Sequence, residues 1–515
     1  MCRFVEVLTY NVVMRTIPAT MATQHPDNAG SPYWAPNDHP FIGTHREITD
    51  CMAAFEDMGI KEYMWDWEGK HADAAVIDKL LGDHHDYFSK NILGKDRFLT
   101  FRLPNIWEEK GYSLLQAMTV ILSGEDFARD LGFAVRPLFE VILPMTERAD
   151  QLMHMQKLFQ KLAEFKSREF TPDKPANNSY LEIIPLTESV ESQHGIYELL
   201  QEYVRLHTEH FGSKPKYIRP FLARSDPAIV SGFLATVLAN KLALSRVYEF
   251  ADKTNISVFP ISGVGSLPFR GGLTPETVDE YVHEYAGMRT VSLQSAFRYD
   301  YPLKSVKSAV EDLERLLPKA LPPNISAERR VKLIAIGMQA TAFYQTTLKN
   351  IIKDLATIFS AVPRRRERRQ HIGLLAYGRS MNNVPLPRAI TFTSGFYSLG
   401  VPPEFIGVGR CLKQLSSDDS GIINQAYAEL GRDLQRAGRY LNSDNLDTLV
   451  KRNSAWKEVQ EDIHAAETYF GVKFGPQSKT EKAHKNLTSN ILLTNDTETI
   501  QQLISETALL RKSLG

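Results

Sequence analysis

Ile218-Arg-Pro-Phe-Leu222 is a short β-rich run, a helical pattern follows from Pro227 to Thr254, and a second β-rich run, Ile256-Ser-Val-Phe259, comes directly after it. Strand, long helix and strand in that order imply parallel pairing with a right-handed crossover, because a connection of that length returns the chain to the same end of the sheet. The unit recurs along the chain. Candidate strands read as Tyr63–Asp66, Phe98–Arg102, Phe139–Leu143, Leu181–Pro185, Ile218–Leu222, Ile256–Phe259, Thr290–Leu293 and Ala389–Phe392, with helical patterns such as Asp150–Lys166 and Ile196–Phe211 between most of them. Eight such units predict an α/β fold of the (β/α)8 barrel type. The rival architecture, an open doubly wound sheet, lacks the glycine-rich dinucleotide turn after its first strand.

The gap before the last candidate strand is long. Residues 304–370 read as a helical insertion between strands seven and eight, and residues 405–515 as a helical C-terminal part. No Pro/Gly/Ser linker separates these helices from the barrel, so residues 15–515 are expected to form one elaborated domain, with residues 1–14 an irregular arm. The 515 residues carry 60 Lys and Arg against 61 Asp and Glu, which argues against a general nucleic-acid or membrane-surface binder. No run reaches the ~18 apolar residues of a membrane helix. Three distant cysteines form no disulfide framework or CxxC metal site, and reduced thiols fit a cytoplasmic protein.

In a barrel of this type the chemistry sits at the C-terminal ends of the strands. The residues expected there are Asp66, Glu68 and Lys70, then Arg102, Glu188, and the run Arg224-Ser-Asp226. A glycine-rich loop, Ser262-Gly-Val-Gly-Ser-Leu-Pro-Phe-Arg270-Gly-Gly272, follows, and then Gln294 and Arg298. Carboxylates hold Mg²⁺ or Mn²⁺ through hard oxygens, arginines clamp phosphate and carboxylate, and glycines let backbone N–H groups approach a phosphate. Together they suggest a phosphorylated, polyanionic substrate on a divalent metal. Each residue also has a plainer reading: a single Asp or Arg at a strand end is more often a cap or salt bridge, and a GxG loop alone is weak. The Arg364–Arg369 run is expected to be a solvated segment or a contact to acidic surface. His25, in the loop Thr23-Gln-His-Pro-Asp-Asn28, reads either as a structural histidine or as an acid–base group reaching the site.

Met21-Ala-Thr-Gln-His-Pro-Asp-Asn28, Met64-Trp-Asp-Trp-Glu-Gly-Lys70, Arg219–Asp226, Gly263–Gly272, Pro387-Arg-Ala-Ile390 and Ser513-Leu-Gly515 closely resemble, in order, the motifs of the short, archaeal-type phosphoenolpyruvate carboxylases. The resemblance runs from about residue 16 to the end. It implies a cytoplasmic homotetrameric barrel lyase that joins phosphoenolpyruvate to bicarbonate with Mg²⁺ or Mn²⁺. Oxaloacetate and phosphate would form through carboxyphosphate and an enolate held on the metal. Ile184-Pro-Leu-Thr-Glu188 and Ser225-Asp226, whose carboxylates stand 38 residues apart, resemble the metal-binding strands of the longer, conventional carboxylases. On that likeness Glu188 and Asp226 would hold the metal. Arg270, Gly271, Gly272, Arg298, Arg379 and Arg388 would bind substrate. His25, Arg102, Arg270 and Lys70 would be catalytic. Two departures stand out: Phe259–Ser262 lacks the conventional histidine and extra arginine, and Pro227-Ala-Ile229 replaces a lysine, leaving Lys70 as the candidate cation for bicarbonate. The alternatives are another Mg²⁺-dependent barrel lyase or mutase acting on phosphoenolpyruvate or a 2-oxo acid, and an inactive anion-binding barrel.

Overall fold

The barrel closes on a four-residue strand, Thr20–Thr23 (β1), in which every side chain is buried. The computed structural model describes residues 15–35, 39–70, 72–108, 111–170, 179–366, 380–381 and 384–515. In it β1 pairs in parallel on both sides, Met21 lying opposite Glu62 and Ser292. The other barrel strands are Glu62–Asp66 (β2), Phe98–Arg102 (β3), Glu140–Leu143 (β4), Glu182–Thr187 (β5), Phe221–Ala223 (β6), Ile261–Gly263 (β7) and Thr290–Leu293 (β8), in chain order around a closed ring. The fold is therefore the expected (β/α)8 barrel.

Two expected strands are corrected. Ala389–Phe392 opens a helix, Ala389–Leu399. Its Ile, Thr and Phe residues favour extended backbone, but Phe392 and Phe396 share a helix face and pack on each other, ring centroids 4.8 Å apart, so burial overrides propensity. β1 takes the vacated place in the ring. The helices from Leu303 onward therefore follow a barrel already closed at β8, and the expected insertion between strands seven and eight belongs to one C-terminal helical layer. Ile256–Phe259 also shifts: Ser257–Val258 pairs with Tyr217–Ile218 in a separate ladder, and the barrel strands resume after Pro220 and Pro260. Proline has no N–H to donate, so both runs break at the same level. The helical layer has its own apolar core, in which Ala327–Ile351 lies against Phe233–Thr254. Gly232, at φ +84°, allows that approach, since a Cβ there would stand 2.8 Å from the Tyr344 ring. Among the described residues no helix is long and apolar enough to cross a membrane.

Side chains alternate along a strand, and the inward ones form three levels. At the N-terminal end Arg219 donates to Glu62 at 2.9 and 2.7 Å and to Glu140 at 2.7 Å. Arg15, lying 4.1 Å over the Phe98 ring, also pairs with Glu140. Above this floor Met21, Met64, Ile142, Ile184, Leu186, Phe221, Ala223 and Ile261 form an apolar plug. One step further, the same parity reaches Thr23, Asp66, Arg102 and Glu188 at the C-terminal rim. The plug isolates the two charged levels, so the rim is electrostatically its own site.

Glu182 completes the floor. Burial and then the charge of Glu140 push its carboxyl up to about 8. A carboxyl raised on folding holds its proton more tightly in the folded state. Its contribution to stability is complete below the ordinary value of 4.5 and is lost as pH climbs toward about 8. The slope for one proton is at most ~1.4 kcal/mol per pH unit. The urea midpoint is expected to fall between pH 6 and 8.5, and Glu182→Gln to flatten that fall; the same slope in the variant would contradict the assignment.

Candidate functional site

Arg270 stands at the centre of the rim. Its side chain is 1% exposed, and it is reached by the loops after three other strands and by the C-terminal Gly515. Nε donates to Ser225 Oγ after β6 at 3.1 Å, and Nη1 to Asp27 Oδ2 after β1 at 3.1 Å. Nη2 donates to Gln294 Oε1 after β8, and Nη1 also to the main-chain oxygen of Gly515. Asp27 takes two further donors from the β8 loop, the Ala296 N–H at 2.7 Å and the Ser295 hydroxyl at 3.1 Å. Burial pushes the Asp27 carboxyl up and the Arg270 guanidinium down, against their mutual attraction. The loop itself is shaped to receive the side chain. A Cβ at Gly265 would stand 2.9 Å from Arg270 Cζ, and Gly271, at φ +122°, would place one 2.6 Å from Val264. The N–H groups of Gly271 and Gly272 donate within the loop, to the Pro268 and Leu267 carbonyls, both at 3.0 Å. The Ser266 hydroxyl of the same loop is buried with no hydrogen-bond partner among the described residues.

His25 follows the closing strand directly. Its Nδ1 lies 2.9 Å from Thr23 Oγ1, its carbonyl accepts the Ser295 hydroxyl at 2.7 Å, and its ring is half-buried at the rim. The loop beyond it is clamped by Asp300, whose two oxygens accept the Ala29 and Gly30 N–H groups, both at 2.7 Å. Burial raises the Asp300 carboxyl to about 7. Glu188 follows β5 and Asp226 follows β6, two strands paired through Leu186–Phe221 and Thr187–Leu222, so both carboxylates leave adjacent strands at the same end. Asp226 acts electrostatically on Arg270 and Glu188 on Arg102. Arg102 Nε lies 2.7 Å from Asp66 and 3.0 Å from Glu68. Burial opposes its charge, but those carboxylates outweigh burial and hold it strongly protonated.

Other expected residues sit differently. Lys70 is buried, its Nζ 2.6 Å from Glu47 and 2.6 Å from Gln24, so its charge orients the residue next to His25. Arg298 is fully buried, donating to Asp50 at 2.9 Å and to the Thr23 carbonyl at 2.8 Å, and pins the end of β1. Arg388 is exposed at the start of the Ala389–Leu399 helix, whose first turn abuts Gly515 and hence the rim. Arg379 lies outside the described residues. The Arg364–Arg369 reading holds at Arg364, which is exposed, and is corrected at the two arginines after it. Arg365 and Arg366 are 5% and 3% exposed, Arg366 pairs with Asp50 at 2.5 Å, and Arg365 Nε donates to the Asn28 carbonyl at 3.1 Å. Residues 367–369 lie outside the described residues. Sequence reasoning placed Ser225 and Gln294 at strand ends without giving either a role, and it did not single out Asp27 or Asp300. Asp27 lay inside a quoted motif and Gln294 directly after β8, whereas nothing in the local sequence marks Asp300. Among the described residues no group of three or more His, Cys, Asp or Glu side chains is arranged to hold a metal.

A charged rim at the C-terminal end of a parallel barrel, walled from the floor by an apolar plug, puts this protein in the class of barrel enzymes. Comparison with known proteins narrows the class. A family model described as phosphoenolpyruvate carboxylase matches residues 17–515. A protein of that name from Leuconostoc mesenteroides is 50% identical over 504 residues, covering 97% of this chain and 99% of that one. Another from Oenococcus oeni is 46% identical over 503 residues, covering 97% and 99%. One from the archaeon Metallosphaera sedula is 37% identical over 521 residues, covering 98% and 100%. The chain belongs to the phosphoenolpyruvate carboxylase family, in its short, archaeal-type form.

Asp300→Ala would leave the Ala29 and Gly30 amides without their acceptors. Hydrogen exchange in the segment after His25 is expected to speed by roughly tenfold or more, since a lost buried hydrogen bond costs about 1–3 kcal/mol. Unchanged exchange there would contradict the clamp.

Proposed function

We propose that this chain carboxylates phosphoenolpyruvate with bicarbonate, giving oxaloacetate and phosphate. The observation that carries the reading is the convergence of the His25 loop, the Asp226 loop and the glycine-rich loop on Arg270. Glu188 and Asp226 would hold Mg²⁺ or Mn²⁺. The donor set fits, since these ions take one or two carboxylates and complete their shell with substrate oxygens and water. When bound, the ion supplies positive charge to oxygen that becomes negative in the reaction.

Arg270, with Arg388 and Arg379, binds the phosphate, and the Ser266 hydroxyl, which has no hydrogen-bond partner among the described residues, adds a donor in the same loop. Bicarbonate oxygen attacks phosphorus and the bond from phosphorus to the enol oxygen breaks, leaving carboxyphosphate and the enolate of pyruvate. His25 takes the carboxyphosphate proton, which releases CO₂ and phosphate, and the enolate carbon attacks CO₂. Gln24, held by Lys70, fixes the strand end from which His25 projects. Water must be kept out, because an enolate that picks up a proton is lost as pyruvate. Family likeness also supports a cytoplasmic homotetramer.

A coupled oxaloacetate assay on purified protein, with and without bicarbonate and Mg²⁺, tests the reading. Oxaloacetate is expected only when both are present. Phosphate release that ignores bicarbonate would favour another lyase or mutase. His25→Asn is expected to abolish oxaloacetate formation while bicarbonate-dependent phosphate release persists; full carboxylation by the variant would overturn the role of His25.

A further inference from the structure

The turn that carries Arg270, Pro268–Arg270, is also held from outside the barrel. The Phe269 N–H donates at 2.8 Å to Oε1 of Glu404, a residue 135 positions further along the chain. The same oxygen accepts the Tyr397 hydroxyl at 2.6 Å. Glu404 is fully buried, and its second oxygen, Oε2, has no hydrogen-bond partner among the described residues. A neutral amide would cap one N–H at less cost, since a buried carboxylate with an unmet oxygen is penalised for its charge.

We propose that Glu404 is a positioning residue for Arg270: through the Phe269 amide it sets where the guanidinium meets its anion, and loss or gain of the Glu404 proton tightens or loosens that hold. The inference rests on Arg270 being the phosphate-binding group argued above.

Burial raises the Glu404 carboxyl to about 7, partly offset by the Tyr397 and Phe269 bonds and reinforced by Asp433. The charged groups on the packed elements are otherwise engaged. Asp433, on Leu430–Gly438, accepts from Tyr427 at 2.6 Å and lies 3.3 Å from Arg436. Arg410 and Asp462 pair at 2.9 Å, Lys241 pairs with Glu284, and Arg270 pairs with Asp27. Tyr397 in turn faces Tyr440 and Arg511. Above about pH 7 the carboxylate therefore accepts two charge-assisted bonds; below it the bonds are neutral and weaker. Affinity for the phosphorylated substrate rises with pH through this window.

The test measures KM for phosphoenolpyruvate from pH 6 to 8.5 in the full chain, as the ratio of variant to wild type, which cancels the ionisation of substrate and bicarbonate. For Glu404→Gln the ratio is expected to stay near one at low pH and rise roughly fivefold at high pH, with kcat little changed. Tyr397→Phe removes a donor that stabilises the carboxylate and is expected to shift the wild-type limb to higher pH; it keeps the idea testable should Glu404→Gln misfold. Hydrogen exchange at Phe269 gives a readout independent of turnover. A pH-independent ratio together with exchange indifferent to Glu404→Gln would overturn the role of Glu404. Exchange that responds while KM does not would overturn the Arg270 assignment beneath it.

Discussion

The buried pair of Asp27 and Arg270 is the contact on which the rim depends. Moving two charges out of water is costly, and their attraction compensates only when further hydrogen bonds satisfy both partners. Here Asp27 accepts from Arg270, Ser295 and Ala296, while Arg270 also donates to Ser225, Gln294 and Gly515. The pair therefore survives only if the loops after β1, β6, β7 and β8 keep their places together. Arginine does not lose its charge near neutral pH, so Arg270 remains a cation at the mouth of the barrel.

That arrangement needs support from both directions. From below, the apolar plug separates the rim from the Arg219–Glu62–Glu140 floor, so the rim charges answer to one another. From the side, Asp300, at the end of the short helix Ser295–Tyr299 after β8, and Glu404, in the helical layer, hold backbone N–H groups of the loops behind His25 and around Arg270. The long C-terminal half of the chain is thus part of the site, although most of its residues never reach the rim.

Much of this was legible in the sequence, and the misses have physical causes. β3 and β8 were read at their observed limits, and β2, β4 and β5 to within a few residues, because β-branched and aromatic runs bounded by polar turns mark buried strands well. Thr20–Thr23 escaped because four residues with threonine at both ends carry no periodicity; its strand character comes from the two neighbours that need it for closure. Ala389–Phe392 misled for the opposite reason, since strand-forming residues were buried as a helix. The site residues that motifs carried, from His25 to Arg270, all fell at strand ends. Asp300 and Glu404 did not stand out, because a carboxylate that works by capping a distant amide leaves no local pattern.

A double-mutant cycle on kcat/KM for phosphoenolpyruvate, built from Asp27→Asn, Arg270→Gln and the two combined, tests the central claim most directly. If the pair acts as one unit, Asp27→Asn alone lowers kcat/KM, yet the double variant is no worse than Arg270→Gln within about threefold, so the cost of losing Asp27 vanishes once Arg270 is gone. Losses that simply multiply would mean that the two side chains act independently and that the rim is held together by something else.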